Sequence, residues 1–159
     1  MRPVLVGMNN PVSSKPGHEL FPYPPGCTGH RILEMLQTRL PDVTRQQYLD
    51  AFDRRNLVGL KIYDALIARE AAVKMEQEFW FTGRTIVLFG ADVAKAFGHP
   101  RLLLHPQVIG GATWRQVPHP SGRNLWFNDA NNRFLVASLL EDLFVEAQAY
   151  RKMDTELVN

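Results

Sequence analysis

The chain has 159 residues, 45% hydrophobic and 21% charged, a balance too apolar for a disordered chain and a length that suits one core rather than two. Its net charge of +2 neither requires nor excludes a nucleic-acid partner, because phosphate binding depends on where Lys and Arg cluster. A single cysteine, Cys27, rules out an intramolecular disulfide and a cysteine-ligated cluster built from this chain alone, and no apolar run is long enough for a secretory signal or a membrane span. The expectation is one cytoplasmic domain over residues 1–159 with no membrane contact.

Val4-Leu5-Val6 is a short β-branched run ending at Gly7, as for a buried strand that stops where the loop needs special backbone angles. From residue 9 to 29 the chain is dense in Pro and Gly, which forbids a long helix or a central strand. Loops of about 20 residues are uncommon in compact domains unless functional or disordered; Phe21 and Tyr23 point to order. Thr28 reads as the N-cap of a helix carrying Ile32, Leu33, Leu36 and Leu40 and stopped by Pro41. Thr44 and Gln47 form a capping-box pattern that opens a second short helix with Tyr48 and Phe52.

Residues 55–59 read as a short strand and residues 63–79 as a helix. The clearest strand is 85–90, where β-branched residues end at Gly90 before a helix over 91–97. Residues 113–117 are the last strand candidate, running into Pro118-His119-Pro120-Ser121-Gly122-Arg123-Asn124. A final helix over 129–152 is expected to turn Phe134, Leu135, Leu139, Leu140, Leu143 and Phe144 to the core. Strand-helix alternation predicts an α/β fold, a three-layer α/β/α arrangement around a central, mainly parallel four-stranded sheet, with ligands at the carboxyl ends of the strands. Arg45, Arg54, Arg55, Lys61 and Arg69 lie in one stretch, readable either as a phosphate-binding patch or as a solvated basic face, and Arg115 and Arg123 flank the His119 segment.

Two loops that follow strands carry a resemblance. Gly7-Met8-Asn9-Asn10-Pro11 and His119-Pro120-Ser121-Gly122-Arg123-Asn124 resemble the two signature motifs of the uracil-DNA glycosylase superfamily, a Gly-x-Asn-Pro type turn and a His-Pro-Ser loop. Ser13-Ser14 and Phe21-Pro22-Tyr23 before a helix resemble the matching loop of its mismatch-specific branch, and the motifs are also similar to those of the single-strand-selective branch. Asn56 ahead of Leu57-Val58 is similar to the family's pyrimidine-reading asparagine, and Leu88-Phe89-Gly90-Ala91 to its penultimate strand-helix junction. The first turn departs from the pattern: two asparagines precede the proline, so either Asn9 or Asn10 could be the catalytic one, with Asn9 favoured by its spacing from Gly7. The single cysteine excludes the iron-sulfur branch.

The resemblance implies a monomeric DNA glycosylase without cofactor or metal that hydrolyses the N-glycosidic bond of an extruded, modified or mismatched pyrimidine in DNA. Such cleavage leaves positive character on the sugar and negative charge on the departing base, so the catalysts wanted are donors aimed at the base oxygens. His119 as neutral imidazole would supply one, and Asn9 or Asn10 would orient the water. Asn56 offers donor and acceptor together, as the edge of a uracil-like base requires. Met8, Phe21 and Tyr23 would complete the base pocket, the two aromatics as a stacking floor. Ser121 and Arg123 would hold phosphates, and Gly122-Arg123-Asn124 would fill the gap in the stack. His18, His30, His99 and His105 read as ordinary structural or surface histidines, and Cys27, His30 and His18 lack a recognised metal spacing. Two other readings remain: a glycosylase-fold protein that binds modified or single-stranded DNA without cleaving it, and a nucleoside or nucleotide N-glycosidase.

Overall fold

The inner strands of the sheet bury apolar residues on both faces, because helices cover both sides. The computed structural model describes residues 1–9, 15–59, 63–79, 81–99 and 105–158. The strands are β1 (Val4–Gly7), β2 (Asp53–Asn56), β3 (Thr85–Phe89), β4 (Gln107–Ile109) and β5 (Ala112–Val117), in the spatial order β2-β1-β3-β5-β4. β2, β1, β3 and β5 run parallel, and β4 pairs antiparallel with β5. The helices are α1 (Thr28–Arg39), α2 (Arg45–Ala51), α3 (Ala65–Glu78), α4 (Ala91–Ala96) and α5 (Ala130–Val158).

Leu5, Val87, Phe89 and Val117 face α1, α2 and α5, where they bury Ile32, Leu36, Tyr48, Val136, Leu140 and Phe144. Val4, Val6, Ile86, Leu88 and Trp114 face α3 and α4, with Ala68, Ala72, Val93 and Phe97. This alternation is the period-two geometry of a strand buried on both sides. Among the described residues, no helix is long and apolar enough to cross a membrane.

The sheet has five strands rather than the expected four. The extra one, β4, is three exposed residues long, too short and too wet to leave an alternation signal. Its hint was Gly110-Gly111, whose φ values of 61° and 76° make the tight two-residue hairpin turn that only glycine adopts cheaply. β2 also sits earlier than the expected 55–59. Register against β1 sets it: Asp53 N–H donates to Pro3 O at 3.0 Å and Asn56 lies opposite Gly7, so the polar Asp53-Arg54-Arg55-Asn56 segment is the edge strand.

Helix ends follow their caps. Thr44 Oγ accepts from Gln47 N–H at 3.1 Å while Gln47 Oε1 accepts from Thr44 N–H at 2.9 Å, the reciprocal capping box expected at α2. At α1 the cap is Cys27, whose Sγ accepts from His30 N–H at 3.4 Å; Thr28 is the first helical residue, which turns its hydroxyl outward. α5 starts and ends later than expected and is phased on Val136, Leu140, Leu143 and Ala147. That phase leaves Phe134 and Leu135 outside the core, 54% and 50% exposed, with the Arg39 guanidinium 5.0 Å over the Phe134 ring. Leu139 is half-buried against the core.

Candidate active site

The segment after residue 15 is held by specific bonds rather than by regular structure. Tyr48 Oη, fully buried beneath it, donates to Leu20 O at 2.9 Å, and burial pushes the phenol above its ordinary pKa. Arg54 Nη1 donates to Glu19 O at 2.7 Å and the Cys27 thiol to Phe21 O at 3.3 Å. Gly29 lets this loop lie on α1: a Cβ there would stand 2.2 Å from Leu20 O and 2.4 Å from Phe21 O, closer than any real contact. Leu20, at φ 49°, takes the left-handed turn that a branched residue adopts only when its surroundings hold it there.

This loop forms one wall of a cleft lined by Asn9, His18, Leu20, Phe21, Tyr23, Pro24, Cys27, Thr28, Gly29 and Asn56. The other contributors come from the carboxyl ends of β1 and β2, because both strands run parallel and stop at the same rim. β5 stops there too; with β3 between them, the ends of β1 and β5 are about 10 Å apart from strand spacing alone. His119, just past β5, completes the rim: its Nε2 is 3.4 Å from Thr28 Oγ1, which joins it to the cleft. On its other side a Cβ at Gly90 would touch His119 Cβ at 3.4 Å. Crowding around the ring holds the imidazole below its usual pKa, although the residue as a whole keeps solvent contact. At neutral pH it is therefore uncharged.

The Asn56 side chain is the most unusual polar group here. Its Oδ1 and Nδ2 are both shut off from solvent and have no hydrogen-bond partner among the described residues, whereas buried amides are ordinarily satisfied. It is clamped from below, since a Cβ on Gly7 would lie 2.8 Å from Asn56 Oδ1. Its backbone N–H donates to Glu19 Oε2 at 2.7 Å. Burial holds that carboxyl above its ordinary pKa, outweighing the Asn56 amide and the Arg55 and Arg54 charges that pull it down.

The motif residues do not all arrive at the cleft. Phe21, Tyr23, Asn9 and Asn56 line it. Met8 does not: its side chain packs on the α3–α4 side of the sheet, and its carbonyl accepts from Val58 N–H at 2.9 Å. Asn10, like Pro11, Ser13 and Ser14, lies outside the described residues. In the His119 loop, Ser121 Oγ accepts from Arg123 N–H at 3.1 Å. Asn124 has both ends of its amide engaged, Nδ2 donating to His119 O at 3.0 Å and Oδ1 accepting from Trp126 N–H at 3.1 Å, and so shapes the loop. Gly122 and Arg123 are exposed, and Leu125 beside them is 78% exposed. Glu19 and Arg31 were not singled out by sequence reasoning and Thr28 was read only as a helix cap, because what they meet lies far away in sequence; nothing local to Leu125 marks it as exposed beside the His119 loop.

The cleft is narrow. Its volume of about 50 Å³ holds a water or two, each claiming about 30 Å³ in the liquid, and among the described residues no carboxylate lines it. Two larger cavities, of about 480 Å³ each, lie elsewhere. One is at the amino-terminal rim, where Arg84 pairs with Asp53, Arg2 Nη1 is 3.6 Å from Asp53 Oδ1 and Arg151 Nη1 is 3.4 Å from Asp50 Oδ2. The other lies over Trp114, between α3 and β4. The first is lined mostly by these paired charges. Among the described residues no group of three or more His, Cys, Asp or Glu is placed to hold a metal ion.

Fold and site together define an α/β protein with a mainly parallel five-stranded sheet and a small polar cleft at the carboxyl rim. No protein-family model and no curated protein matches the chain.

Proposed function

We propose that the chain is a DNA glycosylase that hydrolyses the N-glycosidic bond of uracil or a related modified or mismatched pyrimidine, with the architecture of the uracil-DNA glycosylase superfamily. The observation that supports this best is the Asn56 amide: a donor and an acceptor, desolvated in advance and without partners among the described residues, in the cleft that Phe21 and Tyr23 line. A buried unsatisfied amide costs roughly 1–3 kcal/mol, and a ligand with an adjacent carbonyl and N–H recovers that cost. A pyrimidine edge has that pattern.

In this reading His119 donates from its neutral imidazole to the base oxygen on which charge grows, an interaction stronger in the transition state than before it. Thr28 Oγ1 orients the ring until the base arrives. Asn9 orients the attacking water without acting as a strong base, so turnover is slow. The cleft must widen to admit a base, and the segment that yields is the arch carrying Phe21 and the 60% exposed Tyr23. Leu125, exposed next to the His119 loop, is the apolar side chain suited to fill the space left in the stack.

The test is incubation with oligonucleotides carrying uracil, hydroxymethyluracil or mismatched thymine. Alkali-labile sites are expected with at least one and are expected to vanish in Asn56→Leu; no abasic product from any substrate overturns the proposal. The absence of a lining carboxylate and the narrowness of the cleft favour one second reading, a protein that binds the modified strand and leaves the base attached. Tight, salt-sensitive binding without base release would select it.

A further inference from the structure

Among the described residues, which leave out Lys61, the arginines of the stretch between residues 45 and 69 are engaged in different ways. Arg54 spends its guanidinium on Gly17 O and Glu19 O, Arg69 donates to Ala96 O at 2.7 Å, and Arg55 lies 4.6 Å over the Phe79 ring. Arg45 is different. It sits at the start of α2 with its Cζ 5.8 Å from the Phe21 ring centroid and 5.7 Å from that of Tyr23, on the arch that walls the cleft. Arg31 holds the other flank of the same arch: its Nε donates to Gly26 O at 3.1 Å, and a Cβ on Gly122 would lie 2.6 Å from its Nη2. Arg31 is therefore seated between the arch and the His119 loop, beside Arg123.

Among the described residues, neither Arg31, Arg45 nor Arg123 has a carboxylate partner. The carboxylate closest in sequence to Arg31, Glu34, is 2.7 Å from His30 Nδ1. Two cations thus flank the arch of a cleft that no carboxylate lines among the described residues, with Arg123 exposed on the neighbouring His119 loop, and both are held in place by contacts that consume few of their donors: a guanidinium has five N–H groups, and Arg31 uses one on Gly26. Ring-face contact fixes Arg45 without consuming any. Oriented guanidiniums with unused N–H groups suit phosphate oxygens.

We propose that Arg31 and Arg45, which belong to neither motif, grip the phosphodiester backbone of a DNA strand on the two sides of the cleft, with Arg123 extending the track. The proposal rests on the glycosylase reading for its choice of DNA as the polymer, yet its test needs no chemistry. Binding of the full-length protein to an unmodified single-stranded oligonucleotide is measured across salt concentrations. Each phosphate contact contributes about 0.7 to the slope of log K against log salt for a single strand. Arg31→Gln and Arg45→Gln should each lower the slope by about that amount and their combination by about 1.4, whereas Arg45→Lys, which keeps the charge, and Arg39→Gln, whose guanidinium is bound to Glu141, should leave it unchanged. Thermal melts identify any variant that has lost its fold, for which Arg31→Lys is the substitute and should keep the slope. A double variant with the wild-type slope, or a wild type without salt-sensitive binding, overturns the proposal. Base release with an unchanged slope sinks the track and spares the glycosylase reading; a reduced slope without base release from any substrate does the opposite.

Discussion

At the amino-terminal rim of the sheet Arg84 is sandwiched between Asp53 and Arg2 O, donating to the latter from Nε at 2.9 Å, and the large cavity beside it is lined by charges that mostly answer one another. At the carboxyl rim the opening is an order of magnitude smaller, yet the Asn56 amide, the His119 imidazole and the Arg31 and Arg45 guanidiniums keep hydrogen-bonding capacity that the fold does not use. Size and chemical readiness have separated. A cavity whose polar groups are paired has little left to offer a ligand, whereas a tight cleft with desolvated, unsatisfied groups holds free energy that only a matching ligand recovers.

The comparison can be broken in several ways. The largest effect is expected from Gly29→Ala, which drives a methyl into two backbone carbonyls; the loop or α1 must move, at a cost of about 3 kcal/mol or more, and both urea unfolding and oligonucleotide binding should register it. Arg84→Ala breaks the paired rim and should cost roughly 2–4 kcal/mol in the same unfolding measurement, since it leaves the partly buried Asp53 carboxylate with only the more distant Arg2, while leaving base release by the remaining folded protein unchanged. A loss of activity there would mean that the two rims are coupled. Asn56→Leu should show the reverse pattern: stability equal to or about 1 kcal/mol above wild type, because an unsatisfied amide is replaced by an apolar group, with base release reduced about 100-fold or more. Destabilisation by Asn56→Leu would instead show that the amide has a partner.

The smallest effect sharpens the role of His119. Its imidazole titrates below the ordinary value of 6.5 because burial disfavours the charged form, and burial acts in the same direction on His99. The unfolded chain therefore takes up protons at a higher pH than the native one, so these groups leave stability untouched above pH 6.5 and reduce it as pH falls below that value. NMR titration of the His119 ring should give a midpoint under 6.5, and His119→Ala should shallow the acid-side loss of stability. A midpoint above 6.5 would contradict the neutral-donor role.

Much of this was legible before any coordinates. β1 and β3 announce themselves by β-branched runs ending at glycine, β5 by its place ahead of Pro118, and α2 by its reciprocal cap. Parallel order then carries the Asn9 and His119 turns to one rim without further information. Local signals failed where long-range pairing decided: register placed β2 ahead of its apolar residues, an exposed three-residue β4 left no alternation, and packing on Val136 and Leu140 rotated Phe134 and Leu135 outward. The site divides in the same way. Asn56 and the aromatic pair could be picked out from the motifs, but Thr28 beneath His119, Glu19 behind Asn56 and Arg31 under Gly122 are distant in sequence from what they touch. The basic stretch stayed open between a phosphate patch and a solvated face because charge counted along a chain does not reveal which guanidiniums are spent on carbonyls.

Cys27 turns the lone thiol into a built-in clock. Its sulfur caps α1 and its thiol donates to Phe21 O, which leaves it half-buried where the arch rests against the helix. Every excursion that widens the cleft also bares this atom to a disulfide reagent. The rate of thiol labelling should therefore count openings directly, rise in Arg45→Gln if ring-face contact steadies the arch, and fall when a modified oligonucleotide occupies the cleft.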